Sequence, residues 1–210
     1  MSLKHPLLRS LAATALLAGL AVAPTGAAVA DDRYATVEPA QPSDTTGKIE
    51  VLEFFAYTCP HCFTMEPMTA KWAQTFPDNV AFKRVPVAFN ANMADLQKMY
   101  YTLEALDRLD LHEKFFVALH RERQRIYTAD AMADWAAKQG VDRQQFEAAF
   151  NSFGITNKVA RANELVKNYN VDSTPTLAVG GKYTTSPGMT GTYEGAITEA
   201  QRLLETVLAQ

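Results

Sequence analysis

The apolar positions of this chain change period three times, and the changes divide it into segments. Ile49 to Phe55 is a near-continuous apolar run of β-branched and aromatic residues, with Glu53 set inside it. Such a run reads as a buried central strand. Val80 to Val87 reads as a second strand. Between them Pro60 suits the first turn of a helix, where its missing N–H has no partner to lose, and that helix is expected to reach about Gln74. Strand, helix and strand in this order predict a parallel pair joined by a right-handed crossover. Ahead of them, Asp31 to Gly47 is polar and contains Pro39 and Pro42, with Tyr34 to Val37 as a short edge strand.

From Met93 to Tyr169 the period is helical. Leu96, Met99, Leu103 and Leu106 form one stripe, and Leu111, Phe115 and Leu119 a second. Met132, Trp135 and Ala136 mark a third helix, which Gly140 is placed to stop. Asp142 with Gln145 reads as a capping box opening a fourth, carrying Phe146, Ala149 and Phe150. Val159, Ala162, Leu165 and Tyr169 mark a fifth. The stripes read as core-facing, and none resembles a cofactor box. Strand character returns at Thr176 to Val179, and Gly180-Gly181 turns the chain into Lys182 to Thr185 as a hairpin. An amphipathic helix from about Tyr193 to Leu208 follows.

The first thirty residues change the picture of where this fold operates. Lys4, His5 and Arg9 precede an apolar stretch from Leu11 to Val22, Pro24 and Gly26 break it, and Ala28-Val29-Ala30 has the small-x-small form of a cleavage site. At about a dozen residues the stretch is shorter than the ~20 that span a bilayer. Residues 1–30 therefore read as a cleaved signal peptide, and the mature chain as exported to an oxidising compartment. Cleavage removes Lys4 and Arg9 and no acid, leaving 18 basic against 23 acidic side chains, a balance of −5. A mildly acidic chain of this kind argues against nucleic acid as a partner.

Cys59 and Cys62 are the only cysteines in 210 residues. They follow the apolar strand and open a helix, the sequence form of a redox-active dithiol. An inert staple is a poor alternative, because so short a loop removes almost no chain entropy. Thiolate is the attacking species, and Cys59 is placed at a helix N-terminus, where unpaired N–H groups and the macrodipole favour negative charge. His61 is expected to add positive charge or a donor toward that sulfur, and Cys62, one turn inside, to be the buried resolving thiol. Glu53 inside the apolar strand is costly without a task or a partner; burial is expected to raise its pKa, with Glu66 and Arg84 as candidate neighbours. His112 and His120 read as surface residues. No metal site is expected, since zinc needs three or four converging ligands.

The motifs Val51-Leu52-Glu53-Phe54-Phe55, Cys59-Pro60-His61-Cys62, Thr174-Pro175, and Gly180-Gly181-Lys182-Tyr183 followed by Pro187-Gly188-Met189 resemble, in order and spacing, the DsbA family of exported thiol oxidases. The likeness spans essentially the whole mature chain. It departs in Thr174, where many members have Val, and in Pro67, which looks like the helix-kinking proline of thioredoxins. The resemblance implies an α/β protein, a thioredoxin fold with an inserted all-helical domain. The divisions are 31–92, the first thioredoxin-like part with the Cys-Pro-His-Cys site; 93–169, the helical insertion; and 170–210, the second thioredoxin-like part with the cis-proline loop.

By resemblance, Cys59 and Cys62 are catalytic, Pro60, His61 and Glu53 tune the redox pair, and Glu53 shuttles the proton of the buried cysteine. Thr174 and Pro175 form a cis peptide that aligns a bound chain beside the dithiol. Phe63, Met65, Pro187 and Met189 are expected around it as an apolar receiving surface. The implied activity is donation of the Cys59–Cys62 disulfide to exported folding proteins with free cysteines, in the periplasm, by a monomer without cofactor. A quinone-linked membrane oxidase of the DsbB type is the implied reoxidant. The competing readings are an exported reductase or isomerase, and a non-catalytic peptide-binding module. The isomerase is disfavoured because known ones add a dimerisation domain for which no residues remain.

Overall fold

A computed structural model describes residues 1–3 and 32–210, so the expected signal segment falls almost wholly outside the described residues. The elements in chain order are β1 (Ala35–Thr36), β2 (Ile49–Phe55), α1 (Pro60–Ala73), β3 (Val80–Pro86), α2 (Ala94–Ala105), α3 (His112–His120), α4 (Ala129–Lys138), α5 (Arg143–Phe150), α6 (Phe153–Asn168), β4 (Thr176–Val179), β5 (Tyr183–Thr185), α7 (Pro187–Thr190) and α8 (Tyr193–Leu208). The strands form one mixed sheet in the order β1-β5-β4-β2-β3. β2 and β3 run parallel, with Glu53 opposite Arg84, while β4 and β5 are antiparallel to their neighbours. This is an α/β thioredoxin-like fold with α2 to α6 inserted between β3 and β4.

β2 is central, and its alternation sorts side chains to two faces. Leu52 and Phe54 join a cluster with Met99, Leu103, Phe115, Phe116 and Met132 of the inserted helices. Val51 joins Leu177 and Val179 of β4, Met65 and Trp72 of α1, and Ala200 and Leu203 of α8. Glu53 has the parity of Val51 and so lies beneath α1 rather than against the insertion. Both faces being covered explains why β2 reads as a nearly continuous apolar run.

Local chemistry sets the element ends. Asp142 accepts from the Gln145 N–H at 2.8 Å and caps α5, and Thr192 does the same for α8 through Gly195 at 2.9 Å. Gly140 ends α4 with φ +83°, a conformation that other residues adopt at a cost. At Gly181 (φ +72°) a Cβ would stand 1.9 Å from the Gln41 carbonyl oxygen. Only glycine lets the hairpin turn pass there. Among the described residues, no helix is long and apolar enough to cross a membrane.

Candidate active site

The dithiol sits where β2 hands the chain to α1. The Ala56–Cys59 turn closes by a Cys59 N–H to Ala56 O bond of 3.0 Å. Cys59 is the N-cap of α1, in extended conformation (φ −86°, ψ 113°), with Pro60 in the first turn. A thiol therefore stands where a serine or aspartate commonly caps a helix, and Cys59 Sγ accepts from the Cys62 N–H at 3.3 Å. Cys59 is half-buried and Cys62 is buried, and both thiols are free.

The two sulfurs are pushed in opposite directions. The thiol of Cys62, hydrogen-bonded to its partner, is the largest cause lowering the Cys59 pKa to about 5; the main-chain N–H groups of Cys62 and His61 add to it, and partial burial opposes them. Burial raises the Cys62 thiol far above its ordinary value, and the neighbouring Cys59 charge raises it further. One sulfur is thus ionised at neutral pH and the other stays protonated.

The loop before β4 faces this pair. Thr174–Pro175 is a cis peptide, and the Thr174 carbonyl oxygen lies 3.3 Å from Cys59 Sγ, which donates to it when protonated. Beside it opens a groove of about 420 Å³, lined among others by His61, Thr174, Pro175, Ser186, Pro187 and Tyr193. The imidazole of His61, expected to reach toward the sulfur, is instead held by Tyr193, with Nδ1 2.6 Å from the hydroxyl. What His61 offers Cys59 is its main-chain N–H.

Behind the dithiol, Glu53, Glu66 and Arg84 form a buried cluster. Arg84 takes Glu66 bidentately, at 2.6 and 3.1 Å, and touches Glu53 more loosely at 3.3 Å. Two carboxyls share one guanidinium, so one of them keeps its proton. Burial pushes Glu53 up to about 8, with the Glu66 charge adding to it, against the opposing pull of Arg84 and the Thr69 hydroxyl. Burial also pushes Glu66 upward, but His112 and Arg84 outweigh it and hold that carboxyl below its usual range.

Two further expectations are corrected. His112 is buried, not at the surface: its Nε2 is 3.2 Å from Glu66 and its Nδ1 2.7 Å from the Tyr57 hydroxyl. Helical periodicity at Leu111, Phe115 and Leu119 does not reveal how deep the next position lies, and here a carboxylate and a phenol satisfy the imidazole. Met65 is also fully buried, packed with Val51 and Trp72, and contributes nothing to a receiving surface. Phe63, Pro187 and Met189 are partly exposed. Sequence reasoning missed Tyr57 and Tyr193, whose hydroxyls meet residues distant in the chain, and Thr69, whose hydroxyl reaches Glu53 on β2 as well as the Glu66 carbonyl of its own helix.

A model of the DSBA-like thioredoxin domain matches residues 79–197, and one of thioredoxin matches 43–101. The thiol:disulfide interchange protein DsbA of Bordetella parapertussis is 51% identical over 197 residues, covering 93% of this chain and 94% of that protein. The DsbA of Pseudomonas aeruginosa is 36% identical, with coverages of 94% and 96%. The chain belongs to the DsbA family. The crystal structure of Pseudomonas aeruginosa DsbA superposes with a TM-score of 0.81 at 35% identity, over 84% of this chain and 93% of that one. The Neisseria meningitidis oxidoreductase NmDsbA1 gives 0.75 at 27%, over 86% and 94%. As a DsbA-family member with an intact Cys59-Pro60-His61-Cys62 dithiol, this protein is a protein dithiol:disulfide oxidoreductase.

Proposed function

We propose that the protein works as a disulfide donor, transferring its Cys59–Cys62 disulfide to reduced cysteines of exported polypeptides in the periplasm. The observation that carries this direction is the asymmetric stabilisation of the two sulfurs. Cys59 ionises near pH 5 at a helix N-cap while burial keeps Cys62 protonated. A thiolate stabilised in the reduced protein favours reduction of the disulfide, which makes the disulfide form an oxidant.

The exchange begins when a substrate thiolate attacks Cys59 Sγ of the disulfide. The Cys59–Cys62 bond breaks, Cys62 leaves as a thiolate and takes up a proton, and a mixed disulfide joins substrate to Cys59. Glu53, protonated at neutral pH, is suited to supply that proton and to reclaim it on reoxidation. A second substrate thiolate then attacks the substrate sulfur, and Cys59 departs as the thiolate that the Cys62 and His61 N–H groups receive. The substrate chain lies along the Thr174–Pro175 loop in the adjoining groove, pairing with its backbone as an added strand would. Each cycle leaves the enzyme reduced by two electrons, and a membrane oxidase of the DsbB type is the reoxidant this reading calls for.

The deciding measurement is the reduction potential of the Cys59–Cys62 pair in glutathione buffers. A disulfide donor lies well above the glutaredoxin range of about −200 to −230 mV, and a value near thioredoxin's about −270 mV overturns the reading in favour of an exported reductant. Cys59→Ser separates catalysis from passive binding: loss of refolding activity is expected, and undiminished activity with reduced substrate points to a peptide-binding module instead.

A further inference from the structure

Tyr57 stands two residues before Cys59, is buried, and is gripped by both ends of one helix. His112, the first residue of α3, holds its side chain, with Nδ1 2.7 Å from the hydroxyl. His120, the last residue of α3, holds its backbone, with Nε2 2.8 Å from the carbonyl oxygen. The two histidines are eight residues apart, about 12 Å along a helix axis, so they meet the same residue from opposite sides.

The partners fix the hydrogens. A carbonyl oxygen only accepts, so His120 donates from Nε2. The Glu66 carboxylate only accepts, so His112 donates to it from Nε2, 3.2 Å away, and its bare Nδ1 accepts from the Tyr57 hydroxyl. The chain of contacts runs on from Glu66 to Arg84 and Glu53. His120 also lies flat on Phe63, the residue after Cys62, with ring centroids 5.2 Å apart and planes 6° from parallel. Around His112 the charged and titratable groups are Tyr57 from the turn, Glu66 from α1, Tyr100 from α2, Arg84 from β3, and Glu113 beside it on α3.

We propose that His112 and His120 are positioning residues for disulfide exchange, clamping Tyr57 by hydroxyl and carbonyl so that the Ala56–Cys59 turn holds the Cys59 sulfur against the N–H groups that stabilise its charge. The proposal rests on the disulfide-donor reading, in which Cys59 is the attacked and departing sulfur. Releasing either grip lets the turn shift. Losing His112 also removes the N–H that partly balances Glu66, adding uncompensated negative charge behind the thiolate. Both changes disfavour the reduced form and weaken the protein as an oxidant.

The test compares wild type with Tyr57→Phe, His112→Gln, His120→Leu and His120→Gln by two readouts: the Cys59 titration, followed by thiolate ultraviolet absorbance, and the equilibrium constant with glutathione. Tyr57→Phe removes one hydroxyl at nearly constant volume and keeps the test alive should His112→Gln fail to fold. It is expected to raise the Cys59 midpoint and to shift the glutathione equilibrium about three- to tenfold toward the oxidised enzyme, the worth of one buried hydrogen bond. His120→Leu is expected to do the same, and His120→Gln, which keeps an amide donor, to restore most of the loss. Lowered melting temperatures with unchanged midpoint and equilibrium constant overturn the proposal, leaving the clamp purely structural. A wild-type protein with no thiolate below neutral pH instead fells the disulfide-donor reading, and the proposal with it.

Discussion

The main-chain N–H of Cys62 lies 3.3 Å from Sγ of Cys59, so the resolving residue stabilises the charge on the attacking one through its backbone while burying its own thiol. This makes the reduced form a pH-dependent species. Cys59 ionises near 5 in the folded protein against about 8.5 in an unstructured chain. Its folded value is depressed, so the stabilisation is present above the unfolded value and is lost as pH falls toward 5. The oxidised protein carries no such group, and Cys62 stays protonated, folded or unfolded, between pH 4 and 7. The excess melting temperature of the reduced over the oxidised protein is therefore expected to shrink steadily as pH is lowered from 7 to 4. Paired calorimetric scans check this; a gap independent of pH would mean that Cys59 is not ionised.

Glu53 carries the opposite sign. Its folded pKa, about 8, lies above the ordinary carboxylate value, so the native state holds a proton that the unfolded chain releases. Its contribution is fully present below about pH 4.5 and is lost as pH rises to 8. Glu53→Gln is expected to stabilise the protein by about 1–3 kcal/mol at pH 8 and by little at pH 4.5, because an amide has no proton to lose. The same change slows disulfide exchange by about tenfold or more if the carboxyl carries the Cys62 proton. Chemical denaturation at the two pH values, with stopped-flow oxidation of a dithiol peptide, reads both effects.

The groove by the cis Thr174–Pro175 peptide gives a prediction about substrate size. Gly188 lies on its wall with an ordinary φ, and a Cβ there meets nothing closer than Ser186 Oγ at 3.6 Å. Gly188→Trp is expected to fill space that a peptide occupies and glutathione does not need. The KM for a dithiol peptide should rise about tenfold, equivalent to about 1.4 kcal/mol, while the glutathione equilibrium and the Cys59 titration stay at wild-type values. Equal KM values would place the substrate chain elsewhere.

How much of this was legible in the sequence depends on whether a residue's partner is local. β2 was readable at Ile49–Phe55 because burial on both faces leaves a nearly unbroken apolar run, and α5 and α8 because Asp142 and the apolar stripe are signals within one helix. The Cys-Pro-His-Cys run announced its chemistry by spacing. α7 passed unread, because four residues from Pro187 to Thr190 are too few to show a period. The attachment of His61 to Tyr193 spans 132 positions and that of Tyr57 to His112 spans 55, and no local pattern encodes such pairs. Met65 was misplaced for a related reason: an apolar residue beside an active site fits a surface or a core equally well until the packing of α8 is known.

The hairpin turn supplies a prediction about stability rather than chemistry. Gly181 combines φ +72° with a Cβ position 1.9 Å from the carbonyl oxygen of Gln41, and its own carbonyl accepts the Gln41 N–H at 2.8 Å. Gly181→Ala therefore meets two costs at once, the left-handed backbone and a backbone collision that no side-chain rotation relieves. A loss of about 2–4 kcal/mol is expected. Gly140→Ala, with φ +83° and open space around the added carbon, meets only the first, and about 1 kcal/mol is expected. Both sites lie outside the dithiol, so the Cys59 titration should be unchanged in the folded variants. Urea unfolding of the pair measures the difference, and equal losses at the two glycines would show that the segment before β2 yields freely to let the turn through.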